Sequence, residues 1–183
     1  MVICKSCGFI TEKGKLGDRC PACGVPAKMF LPHDEGISPK RKMLLSLDIH
    51  PVMVHFPQAF ITTVLLLSLA GAVLHGWVLP LVGATVRILC IVLPFTIALS
   101  FAAGLFDAKL RFRKVSTPLL VRKMIFGTAF FIIGCALFAC AANASAATPL
   151  RFLLIATLAI PGLVCAAVLG KIGSSLLFAR FPG

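Results

Sequence analysis

Four long apolar stretches follow residue 50 and decide what this chain can fold into. They lie at about 52–74, 79–106, 119–142 and 151–173. Each is longer than the roughly 20 residues that a helix needs to cross the hydrocarbon of a bilayer. Of the 183 residues, 59% are hydrophobic and only 13% are charged, and the mean hydropathy is +1.01. Because a soluble domain of this size could not bury so much apolar surface, the sequence predicts an integral membrane protein.

The connections between the stretches predict how the helices are arranged. The connection at His75-Gly76-Trp77 between the first two spans is very short, and so is the segment at about 143–149 between the last two. Short connections make consecutive helices antiparallel neighbours. We therefore expect a mainly α protein, with an antiparallel four-helix transmembrane bundle over residues 50–183.

The distribution of lysine and arginine predicts the orientation. Of the 18 Lys and Arg residues, only Arg87 and Arg151 lie on the side of the two short connections. The positive-inside rule then places both termini in the cytoplasm of a multi-pass protein of a bacterial-type inner membrane. The formal charge of +12 does not indicate nucleic-acid binding, because the charges flank the spans and form no groove-shaped patch.

Two Cys-x-x-Cys pairs, each followed by glycine, precede the spans and are separated by twelve residues: Cys4 and Cys7, then Cys20 and Cys23. Each pair can offer two sulfurs to one ion, and two pairs complete a tetrahedron of thiolates. Residues 1–30 are therefore predicted to be a small β domain around a metal. Iron and zinc both suit such a site. Residues 31–49 are predicted to be a linker, with a membrane-surface helix after Ser38-Pro39 as one interpretation.

The cysteine region resembles the short rubredoxin-like domain of rubrerythrins. The matching features are Cys-Lys-Ser-Cys-Gly-Phe, the twelve-residue gap, Cys-Pro-Ala-Cys-Gly and the trailing Phe30. The resemblance implies one iron in a four-cysteine site that passes single electrons. Zinc ribbons share the two knuckles, so zinc stays the alternative. Unlike free rubredoxins, which tend to be acidic, residues 1–30 carry five Lys and Arg against Glu12 and Asp18, and they contain no Trp or Tyr.

The first span opens with an unusual concentration of histidine and proline. Residues 50–57 read His-Pro-Val-Met-Val-His-Phe-Pro. His50 and His55 could bind haem or handle protons at a quinone head, or they could cap backbone groups at the interface. Since they are five residues apart, a continuous helix would turn them about 140° away from each other.

This motif resembles an uncharacterised family of bacterial four-helix membrane domains. The resemblance covers about residues 48–178 and includes Gly104 and Asp107 at the end of the second span. Members of that family can be joined to iron–sulfur modules such as Rieske domains, which implies a bundle that handles electrons through haem b or quinone. His75 is a further haem candidate, but it lies about 30 Å from His55 along the first span.

Two charged residues complete the candidate sites in the bundle. Arg87 lies about two turns inside the second span, where an ionisable group is a functional candidate unless it snorkels outward. Asp107 lies at the cytoplasmic edge beside several cations, where it could transfer protons or form ion pairs.

The features together predict a membrane-anchored rubredoxin-type electron carrier. It would pass single electrons between the cytoplasmic site and a quinone, a haem or another membrane or cytoplasmic redox protein. The alternative is a non-redox membrane protein whose zinc ribbon is a structural or docking module. No nucleophile–base pair or carboxylate pair indicates a self-contained enzyme. Besides the lipid bilayer and the redox partner, a second copy of the chain is an expected partner, because small residues on the last two spans permit close helix approach.

Overall fold

The structure is a computed structural model that describes residues 1–33, 40, 43–44, 47–112, 118–142 and 148–177. The chain divides into two compact units, Met1–Met43 with Gly173–Gly183, and Leu44–Ile172. The predicted membrane-surface helix falls largely outside the described residues.

The amino-terminal unit contains a three-stranded antiparallel sheet. Its strands are β1 (Val2–Cys4), β2 (Ile10–Thr11) and β3 (Phe30–Pro32), in the order β2-β1-β3. The last strand, β3, extends past residue 30 to Pro32, which pairs with Val2. Proline is tolerated there because β3 is an edge strand and Pro32 is its last residue.

This unit has almost no hydrophobic core. Between residues 1 and 33, only Val2, Cys4 and Cys20 are buried. Two short 3-10 turns, Lys13–Lys15 and Ala27–Met29, contribute no buried residue. A unit of this size therefore needs a source of folding free energy other than apolar burial.

From residue 47 onward, the described residues form five helices: α1 (Ile49–Met53), α2 (His55–Val73), α3 (Val78–Phe112), α4 (Pro118–Ala142) and α5 (Pro149–Leu177). With α1 and α2 taken together, four helical segments are long and apolar enough to cross a membrane. The predicted fold class, a four-helix bundle preceded by a small β unit, is confirmed. The composition and length of the helices fit a multi-pass membrane protein.

Prolines mark the starts of the helices. Pro118 and Pro149 are the first residues of α4 and α5, where a missing N–H costs no hydrogen bond. Pro57, in the first turn of α2, cannot donate to the carbonyl of Met53 four residues earlier. The Ser100 hydroxyl of α3 lies 2.9 Å from that carbonyl and 2.8 Å from the Thr96 carbonyl of its own helix, so its one hydrogen is shared between the two. A side chain of another helix thus compensates in part for the bond that Pro57 cannot make.

The helix α3 is longer than the apolar stretch that predicts it. The apolar stretch predicts a span that ends at about residue 106, whereas α3 continues to Phe112. The additional turn and a half carries Asp107 and Lys109, which are polar. Loss of hydrophobicity marks the limit of a span and not the limit of a helix, because lysine has a high helix propensity.

Small residues allow the helices to pack closely. A Cβ added to Gly134 of α4 would lie 2.9 Å from Ile97 Cδ1 and 3.6 Å from Pro94 Cα of α3. A Cβ added to Gly71 of α2 would lie 2.8 Å from Phe152 Cε1 of α5. In lipid, where apolar side chains gain little from leaving the solvent, such close contacts are a main source of helix association.

We expect Gly71→Ala to lower the thermal stability of the detergent-solubilised protein. The new methyl group would collide with the rigid Phe152 ring, and overpacking costs about 1–3 kcal/mol. Gly173→Ala is the matched control, since nothing lies within 4 Å of a Cβ at that position. The control is expected to be neutral or slightly stabilising, because alanine favours the helix by about 0.5–1 kcal/mol over glycine. Equal melting temperatures for the two variants would contradict this packing.

Candidate metal centre

The two Cys-x-x-Cys pairs adopt the same backbone conformation. The Gly8 amide donates to the Cys4 carbonyl at 2.8 Å, and the Gly24 amide donates to the Cys20 carbonyl at 2.9 Å. Both glycines have positive φ, 74° and 76°, a conformation that costs glycine nothing. Each knuckle therefore needs glycine directly after its second cysteine.

A second pair of hydrogen bonds completes each knuckle. The Cys4 amide donates to the Phe9 carbonyl, and the Cys20 amide donates to the Val25 carbonyl, both at 2.8 Å. The Cys4 knuckle is further fixed by the sheet, because Cys4 pairs with Phe30 across β1 and β3. The backbone thus presents the two pairs of sulfurs in equivalent ways.

The four sulfur atoms converge on one point. All of them lie within 4.8 Å of one another. Cys4 Sγ is 3.8 Å from Cys23 Sγ, and Cys7 Sγ is 3.7 Å from Cys20 Sγ. A tetrahedral ion with metal–sulfur bonds of about 2.3 Å has sulfur–sulfur edges of about 3.8 Å. The four cysteines could therefore bind a metal ion, as they do in rubredoxin-like domains.

The sulfurs differ in acidity because their surroundings differ. The Phe9 amide has the largest effect on the pKa of Cys7 and lowers it, but burial and the other three sulfurs together raise the pKa to about 12. For Cys20, burial has the largest effect and raises the pKa, whereas the amides of Cys23 and Ala22 and two neighbouring sulfurs lower it to about 7. Since thiolates are the metal-binding form, the amides of Cys23 and Ala22 favour the form of Cys20 that binds an ion.

The site has a buried side and an open side. Cys4 and Cys20 are 1% and 2% exposed, Cys7 is half-buried, and Cys23 is exposed. Each knuckle thus contributes one sulfur that is shielded from water and one that is more accessible. The open side, at Cys23, is where another molecule could approach the ion.

The candidate residues of the helices do not form a second cluster of this kind. Within the described residues, the four cysteines are the only group of three or more potential ligands. His50 is half-buried, whereas His55 and His75 are exposed. The His55 Nδ1–H donates to the Pro51 carbonyl at 2.6 Å, a contact of the kind that the capping interpretation predicts.

The two charged candidates lie in different surroundings. Arg87 is exposed on α3, and the hydrogen bonds and ion pairs of the described residues include none to its side chain. Asp107 is half-buried near the other end of the same helix. Its carboxylate attracts the Lys123 ammonium of α4 electrostatically.

Sequence reasoning missed Lys123 as a partner of His50. Lys123 Nζ donates to His50 Nε2 at 2.7 Å. A signal for this position was present in the sequence, because Lys123 precedes the buried residues Phe130 and Leu137 at intervals of seven. Such spacing places a residue on the same inward face of a helix.

The comparisons with known proteins agree with the cysteine geometry. Residues 3–31 match the family model described as the rubrerythrin, rubredoxin-like domain. No curated protein and no solved structure matches the chain. The resemblance of residues 48–178 to the four-helix membrane family stays a prediction. Residues 3–31 are thus similar to the rubrerythrin rubredoxin-like domain, and four long apolar helical segments follow them among the described residues.

Proposed function

We propose that the protein is a membrane-anchored rubredoxin-type electron carrier. The observation that supports this most is the group of four sulfurs, all within 4.8 Å of one another, in a segment that matches the rubredoxin-like family. The four apolar helical segments give that segment a membrane anchor. An iron ion in the site would supply a one-electron Fe(III)/Fe(II) couple.

The residues around the sulfurs have distinct tasks in this proposal. The buried thiolates of Cys4 and Cys20 shield the centre from water, and amide hydrogen bonds to sulfur stabilise its negative charge. The exposed Cys23 provides the edge through which an electron enters or leaves. The partner at that edge would be a quinone, a haem or another membrane or cytoplasmic redox protein.

Zinc is the second candidate, and two features of the sequence favour it. Residues 1–30 carry five Lys and Arg against two acidic residues and contain no Trp or Tyr. With zinc, which has no redox chemistry, the domain would serve as a structural or docking module.

We expect the purified full-length protein to contain one iron per chain and to be coloured when oxidised. Reduction should bleach the visible absorption, because the colour of ferric thiolate centres comes from sulfur-to-iron charge transfer. Elemental analysis measures the iron content, and visible spectra of the oxidised and the reduced protein measure the bleaching. A colourless protein with stoichiometric zinc would end the electron-carrier proposal.

The Cys23→Ser variant is expected to lose most of this colour and to lower the metal content. Loss of one of four ligands should cost at least the roughly 10- to 100-fold in affinity that a lost outer-shell partner costs. Cys135→Ser is the matched control, because Cys135 is also exposed but lies on α4, outside the sulfur cluster. If Cys23→Ser retained the full spectrum of the control, Cys23 would not be a ligand.

A fluorescent protein fused to the amino terminus is expected to fold and fluoresce in a bacterial cytoplasm. The same reporter inserted between residues 143 and 147, after α4, should be exported and dark. This follows from the concentration of Lys and Arg on the side of the termini. The reverse pattern would place the cysteine site outside the cytoplasm.

A further inference from the structure

His50 has a defined partner on each ring nitrogen. Its Nδ1 lies 3.2 Å from the Ser100 carbonyl oxygen of α3. Because a carbonyl only accepts, Nδ1 must carry the hydrogen, and Nε2 of the neutral ring is then an acceptor. Lys123 Nζ of α4 donates to that Nε2 at 2.7 Å.

The His50 ring is also held in place by close packing. A Cβ added to Gly104 of α3 would lie 2.9 Å from His50 Cε1. The Ser100 hydroxyl shares its one hydrogen between the Met53 carbonyl of α1 at 2.9 Å and the Thr96 carbonyl of its own helix at 2.8 Å. The short helix α1 is therefore attached to α3 and α4 at the His50 imidazole, with a shared contact at Met53.

The charges around this pair are few among the described side chains. Asp107 of α3 is the carboxylate that attracts the Lys123 ammonium. The other charged side chains at this end of the helices are exposed; they are Asp48, Lys109, Arg122 and Lys171.

We propose that the hydrogen bond between the Lys123 ammonium and the neutral His50 ring joins α1 to α4. This bond breaks when the His50 ring binds a second proton. With one proton, the ammonium donates to a neutral imidazole. A second proton on Nε2 would place two positive charges 2.7 Å apart in a half-buried, low-dielectric position. The ring can accept that proton only when Lys123 moves away, and Asp107 offers the ammonium an alternative partner.

The attachment of α1 to α4 therefore depends on pH. The link through Nε2 is present at neutral pH and is lost as the pH falls, while the Nδ1 bond to Ser100 is retained. The proposal is independent of the metal centre, because none of its residues belongs to the cysteine cluster.

NMR of the full-length protein in lipid nanodiscs, with ¹⁵N-labelled histidine, can test this. The ring nitrogens report both protonation and tautomer, and His50→Gln assigns the His50 signals by their absence. The exposed His75 is the internal control in the same spectra, which are recorded at about pH 5.5, roughly one unit below the usual pKa of a free imidazole. We expect His50 to stay neutral there, with the hydrogen on Nδ1. Titration of His50 together with His75 would overturn the proposal.

The Lys123→Met variant separates the proton site from a simple packing contact. Without the ammonium, His50 should gain its proton at least tenfold more readily, a shift of one pH unit or more in its titration. Lys109→Met, which removes an exposed lysine of α3, should leave the His50 titration unchanged. An unchanged titration in Lys123→Met would also overturn the proposal, and if that variant does not fold, the comparison of His50 with His75 in the wild type decides.

Discussion

The convergence of four sulfur atoms is the constraint on which the amino-terminal unit depends. Three buried residues cannot provide a core for about thirty residues, and two of the three are cysteines of the cluster. Binding of an ion to the four cysteine sulfurs can supply the missing free energy, which is about 10–16 kcal/mol in small zinc domains at neutral pH. The glycine turns and the short sheet are the backbone arrangement that brings both pairs of sulfurs together.

The helical unit, by contrast, depends on close helix packing and on polar contacts between helices. In a bilayer, apolar side chains do not separate from the solvent on packing, so close contact and satisfied polar groups matter more. Gly71 and Gly134 provide close contact between helices. Ser100 and Lys123 provide polar links, one at the carbonyl that Pro57 leaves without its usual donor and one at His50. The proline and histidine residues that make the start of the first span unusual are therefore part of how α1 is attached.

Much of this arrangement was predictable, because it depends on local spacing. The twelve-residue gap between two Cys-x-x-Cys-Gly knuckles is enough to predict the sulfur cluster, and the lengths of the apolar stretches predict four helical segments. The strand at Leu31 and Pro32 and the extension of α3 to Phe112 were not predicted. Both depend on backbone pairing or helix propensity continuing past the point where hydrophobicity changes. The contact between His50 and Lys123 joins residues 73 positions apart, and only the packing of three helices brings them together.

Hydrogen exchange of the full-length protein, with and without removal of metal by a strong chelator, tests the central claim most directly. The amides of Cys4, Gly8, Cys20 and Gly24 donate the hydrogen bonds that build the knuckles. If a bound ion holds this unit together, chelation will abolish their protection while the amides of α4 stay protected as an internal control. Unchanged protection of residues 1–33 after complete loss of metal would contradict the account.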